Sequence, residues 1–242
     1  MGSQGMNQPA YYAHTGTHLR DLLALLHPPY TAWHLSYVAM GAAIAQTVDW
    51  VHLAGALLAF FFGTGIAAHA LDELHDRPLG TRLSRSTLLV LTVSAMLAVV
   101  TLAIIGALMI SPWVLGWALL GVLLAIGYPL EIPTWLHTDL GFALSWGGFP
   151  VLVGYWSQTR GLSIAALLLT AVATLLSLTQ RSLSTPARFV RRRTSSASAV
   201  LELSTGTETW ERVRLLHSWE RPLRLLAWGM AVLAAALLAG HL

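Results

Sequence analysis

Long apolar blocks separated by short polar breaks run along nearly the whole chain. A membrane-spanning helix needs about 20 predominantly apolar residues. Blocks of that length predict seven spans, at about 30–48, 50–71, 87–109, 111–129, 138–156, 161–180 and 223–241. We therefore expect an all-α integral membrane protein, a bundle of about seven transmembrane helices.

The composition supports a membrane protein and excludes several kinds of chemistry. Of the 242 residues, 55% are hydrophobic and only 10% are charged, whereas soluble domains carry about 25% charged residues. The chain has no cysteine, which excludes disulfides and thiolate metal sites. It also has no lysine, which excludes Schiff-base chemistry.

The arginines predict the orientation of the chain. All fourteen basic residues are arginine. If the N-terminus is cytoplasmic and the loops alternate, every arginine except Arg160 falls on the cytoplasmic side, as basic loops usually do. We expect a multi-pass cell-membrane protein whose C-terminus lies outside. The arginines adjoin the spans, so membrane lipids or phosphate groups are the expected partners, and nucleic acid is not.

The sequence before the first span contains two segments. Residues 1–8 resemble an expression scar followed by a native start, and residues 9–242 are expected to form a single membrane domain. Residues 18–27 are expected to form a short interfacial helix with Arg20 and Asp21 facing water.

The longest segment between spans is residues 181–222, which we expect to be a cytoplasmic basic loop. Its second part places Trp210, Val213 and Leu216 on one side, a pattern typical of an amphipathic helix on the membrane surface. A simple solvated loop is the alternative.

An acidic stretch, AHALDELHDRPLGTRLSR at 68–85, follows the second span. If the helix continues through residue 76, then His69, Asp72, Glu73 and Asp76 lie on one face. Neighbouring carboxylates repel one another unless they share a cation, and Mg²⁺ binds carboxylates together with phosphate oxygens. We expect these four side chains to bind Mg²⁺, and we expect arginines 77, 82 and 85 to contact phosphate. The alternative is a helix end in water with weak surface ion pairs.

Three stretches carry a resemblance to a known family: HPPYTAWHLSYVAMGAAIA at 27–45, the acidic stretch with its Arg-Pro-Leu, and YPLEIPTWLHTDLGFALSWGGFPVLVGYWSQTRG at 128–161. Together they resemble the UbiA superfamily of intramembrane prenyltransferases, with the menaquinone-type branch nearest. The resemblance implies a shortened UbiA-type core and the Mg²⁺-dependent transfer or cyclisation of an isoprenyl diphosphate, with a lipid-soluble acceptor.

The resemblance also implies roles for individual residues. Asp72, Asp76 and Arg77 would be catalytic. The substrate would be bound by Arg82, Arg85, Arg181, His137, Asp139 and Tyr155. The residues themselves leave two alternatives for the aromatic side chains of the fifth span. They could border an isoprenyl or carbocation pocket through cation–π contacts, or they could simply pack in the bundle: Trp146, Phe149, Tyr155 and Trp156.

The chain departs from the family pattern in two respects. The family has nine spans, and its sixth span ends in a second aspartate motif. Here that place reads SLTQRSLSTPARFVRRR, with no acid between Asp139 and Glu202. Arginines 181, 188 and 191–193 could bind a diphosphate there directly, or they could only set the membrane topology.

Two other functions fit the sequence. The missing second motif favours a non-catalytic membrane protein that binds a lipid or quinone, or a subunit of a larger complex. A metal-dependent membrane enzyme of different chemistry could instead use Asp72 and His75 together with Glu131, His137, Asp139 and His217.

Overall fold

The computed structural model describes residues 8–14 and 16–242. The predicted expression scar therefore lies, except for Gln8, outside the described residues. Ten α-helices are present in this part of the chain: α1 (His18–Leu25), α2 (Pro28–Ala43), α3 (Trp50–Phe60), α4 (His69–His75), α5 (Arg85–Met109), α6 (Val114–Gly127), α7 (Asp139–Ala143), α8 (Phe149–Thr159), α9 (Ile164–Arg193) and α10 (Arg212–Ala239). Two π-helical segments, Phe61–Ala68 and Leu144–Gly148, and a 3₁₀ turn, Thr134–His137, complete the helical structure. Strands β1 (Ser198–Leu203) and β2 (Gly206–Glu211) form one antiparallel hairpin.

The π-helical segments join short helices into longer ones. The first links α3 to α4, so that Trp50–His75 is one continuous helix, and the second links α7 to α8. Four helices are long and apolar enough to cross a membrane by length and composition: Trp50–His75, Arg85–Met109, Ile164–Arg193 and Arg212–Ala239. Large apolar side chains such as Leu97, Leu108 and Leu168 are exposed on these helices. The chain is therefore a helical membrane protein with one β-hairpin.

The bundle has two chemically different ends. At one end the Asp49 backbone N–H donates to Gln158 Oε1 (2.7 Å), and His241 Nε2 bonds the Ala43 carbonyl (2.7 Å). At the other end Arg181 pairs with Asp139 and Arg191 pairs with Glu220. We call the second end the arginine-rich end.

Helix α2 lies at the centre of the bundle and packs against α8 and α10. Its Trp33, Tyr37 and Val38 side chains are fully buried. Glycines bring α2 and α8 close together, because a Cβ on Gly154 would overlap the Val38 carbonyl oxygen. Burial of large side chains at such a contact is the main stabilising contribution.

Side chains define where several helices begin. The Thr17, Ser84 and Ser163 hydroxyls accept backbone N–H groups of α1, α5 and α9, and Asp49 caps α3 in the same way. The hydrogen bonds that Asp49 accepts from the His52 and Val51 N–H groups lower the pKa of that carboxyl.

Two sequence predictions are wrong in this fold. Asp21 does not face water: it is fully buried, and its carboxylate accepts the backbone N–H groups of Gly16 and Arg82, both at 2.9 Å. It therefore ties the start of α1 to the loop after α4.

The segment 181–222 is not a loop. Helix α9 extends to Arg193, the hairpin follows, and α10 begins at Arg212, so Trp210 lies in β2 and not on an amphipathic helix. Exposed and half-buried positions alternate through most of both strands, and a connection of only two residues, Ser204 and Thr205, joins them, as in a hairpin.

Candidate functional site

The acidic residues at the end of α4 have different surroundings, although they were predicted to share one face. Helix α4 ends at His75, so Asp76 lies beyond the helix and is exposed. Glu73 is almost fully buried, and its carboxylate accepts the backbone N–H groups of Leu79 (3.0 Å) and Thr81 (2.7 Å). Asp72 is half-buried, and its carboxylate accepts no hydrogen bond from any described residue.

The arginines of the acidic stretch lie outside the interior of the bundle. Arg77 has a positive φ of 47°, and its guanidinium donates to the carbonyls of Thr81 (3.0 Å) and Leu83 (3.1 Å). Its contacts therefore stabilise the loop. The side chains of Arg82 and Arg85 are exposed.

Two arginines of α9 lie opposite Asp72. Arg188 and Arg192 both interact electrostatically with its carboxylate and also repel each other. Their spacing of four residues places them on one face of the helix. Arg188 makes no hydrogen bond or ion pair with any residue that the structure describes, and Arg192 donates its Nε to the Pro9 carbonyl at 3.2 Å.

Tyr128 organises one side of this group. Arg181 donates to the Tyr128 hydroxyl (2.7 Å) and to Asp139 Oδ1 (2.6 Å). The His137 ring stacks on Tyr128 with centroids 4.8 Å apart and interacts electrostatically with Asp72. The structure thus brings Asp72, His137, Asp139 and Arg181 to the same end of the bundle.

The other side comes from the N-terminal segment and the start of α2. The Tyr12 hydroxyl bonds His27 Nδ1 at 2.7 Å, and the Tyr12 ring packs edge-on against Tyr30. Burial lowers the pKa of His27 well below its usual range, and the nearby positive charges of Arg188 and Arg192 lower it further. We call these surrounding residues the polar cluster: Tyr12, His27, Tyr30, His69, Asp72, Tyr128, His137, Arg188 and Arg192.

Two histidines, His69 of the polar cluster and His34 of α2, lie between the charged groups and Trp146. His69 stacks on His27 with centroids 4.1 Å apart, and its Nδ1 bonds the Gly65 carbonyl (3.2 Å). His34 Nδ1 bonds the Trp146 carbonyl (2.8 Å). A carbonyl only accepts hydrogen bonds, so Nδ1 carries the proton in both rings. In each neutral imidazole, Nε2 is therefore a hydrogen-bond and proton acceptor.

An apolar groove of about 350 Å³ lies beyond these histidines. It runs between α3, the following π-helical segment, α5, α6 and α8, from His52 at one end to Thr64 and Trp146 at the other. Trp146 belongs to both regions, because its ring also packs against His34 and Tyr128. From the arginine-rich end toward the other end of the bundle, the order is charged groups, histidines, aromatic rings and an apolar groove.

Of the four aromatic residues that were predicted to border a pocket, three line the groove and one does not. Trp146, Phe149 and Trp156 line it. Tyr155 lies instead on the α2 side of α8, where a Cβ on Gly41 would be 3.0 Å from the Tyr155 backbone nitrogen. Tyr155 is thus near the opposite end of the bundle from Asp72.

Several residues of the site were missed in the sequence or given no role there: Tyr12, His27, Tyr30 and His34. The HPPY stretch that opens α2 carried a sequence clue, because a histidine and a tyrosine flank two prolines where an apolar span begins. Nothing in the sequence placed Tyr12 beside them.

The side chains of the site offer few ligands for a magnesium ion. Within residues 8–14 and 16–242, no group of three or more histidine, cysteine or acidic side chains is arranged to hold a metal ion. Glu73 already accepts two N–H groups, and the His69 Nδ1 is bonded, so Asp72 is the one interior carboxylate left for a cation. A cage of several carboxylates, as the resemblance implies, does not form.

Comparisons with known proteins gave no match: no protein-family model, no curated protein and no solved structure matches this chain.

Proposed function

We propose that this protein binds an isoprenyl diphosphate at the cytoplasmic face of the membrane and transfers or cyclises its isoprenyl group. The observation that carries the proposal is the order of chemical groups along the bundle. A free carboxylate and two arginines lie at the arginine-rich end, and the apolar groove follows beyond the histidines. An amphiphile with an anionic head and an apolar tail matches that order, and the groove is within the usual size of ligand pockets.

In the proposed reaction, the bond between the isoprenyl C1 and the diphosphate oxygen breaks, and the electron pair leaves with the diphosphate. Arg188 and Arg192 stabilise the negative charge that develops on the leaving group. The allylic cation lies against the ring faces of Tyr128 and Trp146, whose π electrons stabilise it.

Capture of the cation completes the reaction. A lipid-soluble acceptor, or a double bond of the same chain, forms the new carbon bond. His34 Nε2 accepts the proton that is released, since its Nδ1 is already committed to the Trp146 carbonyl. Mg²⁺ bound by Asp72 alone would take its remaining ligands from water and phosphate oxygens.

The test is diphosphate release from isoprenyl diphosphates of ten to twenty carbons, measured with purified protein in vesicles with Mg²⁺. Mass spectrometry of the lipid extract identifies the product and separates transfer from cyclisation. We expect Asp72→Asn to lower release about 100-fold.

Asp76→Asn is the matched control, because Asp76 carries the same charge four residues away but is exposed. It should release diphosphate at the wild-type rate. Equal loss in both variants would contradict the proposed role of Asp72.

A second candidate is a non-catalytic binder of a phosphorylated lipid. The use of Glu73 and Arg77 by the loop favours it, because this leaves few groups for catalysis. Saturable binding of isoprenyl diphosphate without any release, by folded protein, would identify the binder.

A further inference from the structure

Helix α9 carries five arginines near the arginine-rich end, of which Arg193 is exposed. The other four form two pairs with different surroundings. Arg181 is held by Asp139 and Tyr128, and Arg191 forms a bidentate pair with the buried Glu220, with Nη2 to Oε2 at 2.9 Å. Both of these charges are compensated within the fold. Arg188 and Arg192 have no carboxylate in an ion pair with them among the residues that the structure describes.

The unpaired arginines are also close to each other. Like charges four residues apart on a helix repel and lower its stability, and Arg188 and Arg192 have this spacing on α9. Asp72 is a negative side chain close enough to act on both arginines, and it has one charge against two. An added anion would remove this imbalance.

The groups around the two arginines favour a phosphate over a carboxylate or a halide. The Tyr12 and Tyr30 side chains lie near both arginines, and Tyr128 lies near Arg188. Phenol hydroxyls and guanidinium groups are hydrogen-bond donors that suit a group with many oxygens. Two guanidinium groups match two phosphate groups, each of which can accept a bidentate contact.

We propose that Arg188 and Arg192 bind the diphosphate directly and replace a second metal site, so that head-group binding does not require a divalent cation. This inference rests on the proposed function for the identity of the whole ligand. The diphosphate oxygens accept from the arginines on the α9 side. Asp72 lies on the α4 side, and its charge keeps the two guanidinium groups facing inward.

The experiment measures binding of inorganic diphosphate and of a fifteen-carbon isoprenyl diphosphate by titration calorimetry, in EDTA and in Mg²⁺. We expect both ligands to bind in EDTA, with affinity that falls as salt is added. Arg188→Gln and Arg192→Gln should each weaken binding about tenfold or more, as expected for loss of a charge-assisted hydrogen bond.

Arg193→Gln is the matched control. Arg193 is the next residue of α9 and is exposed, so its loss should change the affinity less than about twofold. Arg188→Lys keeps the charge but not the planar fork. It should bind with intermediate affinity, and it serves in place of Arg188→Gln if that variant does not fold.

Two results would overturn the inference: binding that disappears in EDTA, or arginine variants that bind like Arg193→Gln. Its failure is distinguishable from failure of the proposed function. Turnover that needs Mg²⁺ and is insensitive to Arg188 would refute the arginine site alone. Binding of inorganic diphosphate in EDTA without turnover of any isoprenyl diphosphate would support the arginine site and refute the enzyme.

Discussion

Asp72 and Glu73 are neighbours on the same helix, yet their carboxylates are in opposite situations. Glu73 is buried and accepts two backbone N–H groups from the loop that folds back over it. Asp72 lies near two arginines, neither of which is in an ion pair with a carboxylate among the described residues. The first carboxylate is part of the fold and the second is available to a ligand. Charge in a membrane protein thus indicates a functional site only where the fold leaves it unsatisfied.

The largest expected effect comes from removing the satisfied carboxylate. Glu73→Ala leaves the Leu79 and Thr81 N–H groups buried without acceptors, and we expect it to lower the free energy of unfolding by about 3 kcal/mol. Thermal unfolding in detergent, followed by loss of the monodisperse elution peak, measures the change. Asp76→Ala is the control and should unfold like the wild type. If the Glu73→Ala protein were as stable as the wild type, Glu73 would contribute no more to the fold than Asp72 does.

Asp72→Asn should have the opposite effects, with little change in stability and a large loss of diphosphate release. Its carboxylate accepts no hydrogen bond from the described residues, so the free energy of unfolding should change by less than about 1 kcal/mol. Diphosphate release should nevertheless fall about 100-fold. Measuring stability and release on the same preparation checks the claim. A loss of stability as large as that of Glu73→Ala would assign Asp72 to the fold.

Arg77→Ala tests whether the Arg-Pro-Leu arginine belongs to the loop or to the ligand. It removes the donors to the Thr81 and Leu83 carbonyls, and we expect a loss of about 1–2 kcal/mol of stability. Ligand affinity should be unchanged when measured by calorimetry below the unfolding temperature. Weaker diphosphate binding by a folded Arg77→Ala protein would move Arg77 into the site.

The smallest expected effect is a dependence on pH. The pKa of His27 is lowered by its burial and by His69, Arg192, Arg188 and His34, so the unfolded chain binds a proton at a higher pH than the folded protein. Stability should therefore be complete above pH ~6.5 and decline as the pH falls below that value. His27→Gln should make the decline shallower, which unfolding at pH 7.5, 6.5 and 5.5 would reveal. An identical decline in the variant would exclude His27 as its source.

The sequence predicted the helical membrane class and located Asp72 because apolar length and helix spacing are local properties. The sequence could not show that Asp72 and Glu73 have different surroundings, because these depend on the path of the loop that follows α4. The position of Arg188 opposite Asp72 depends on how α9 packs across the bundle. The hairpin was missed because residues 181–222 were interpreted as a basic loop followed by an amphipathic helix.

The carbonyl of Pro9 bonds the Nε of Arg192, and this contact has a consequence for affinity. A free arginine side chain has about 2 kcal/mol of rotamer entropy, part of which is lost when a ligand immobilises it. Since the Nε of Arg192 is already bonded, some of that freedom is lost on folding. The N-terminal segment can therefore strengthen ligand binding by restricting side-chain motion, without itself contacting the ligand.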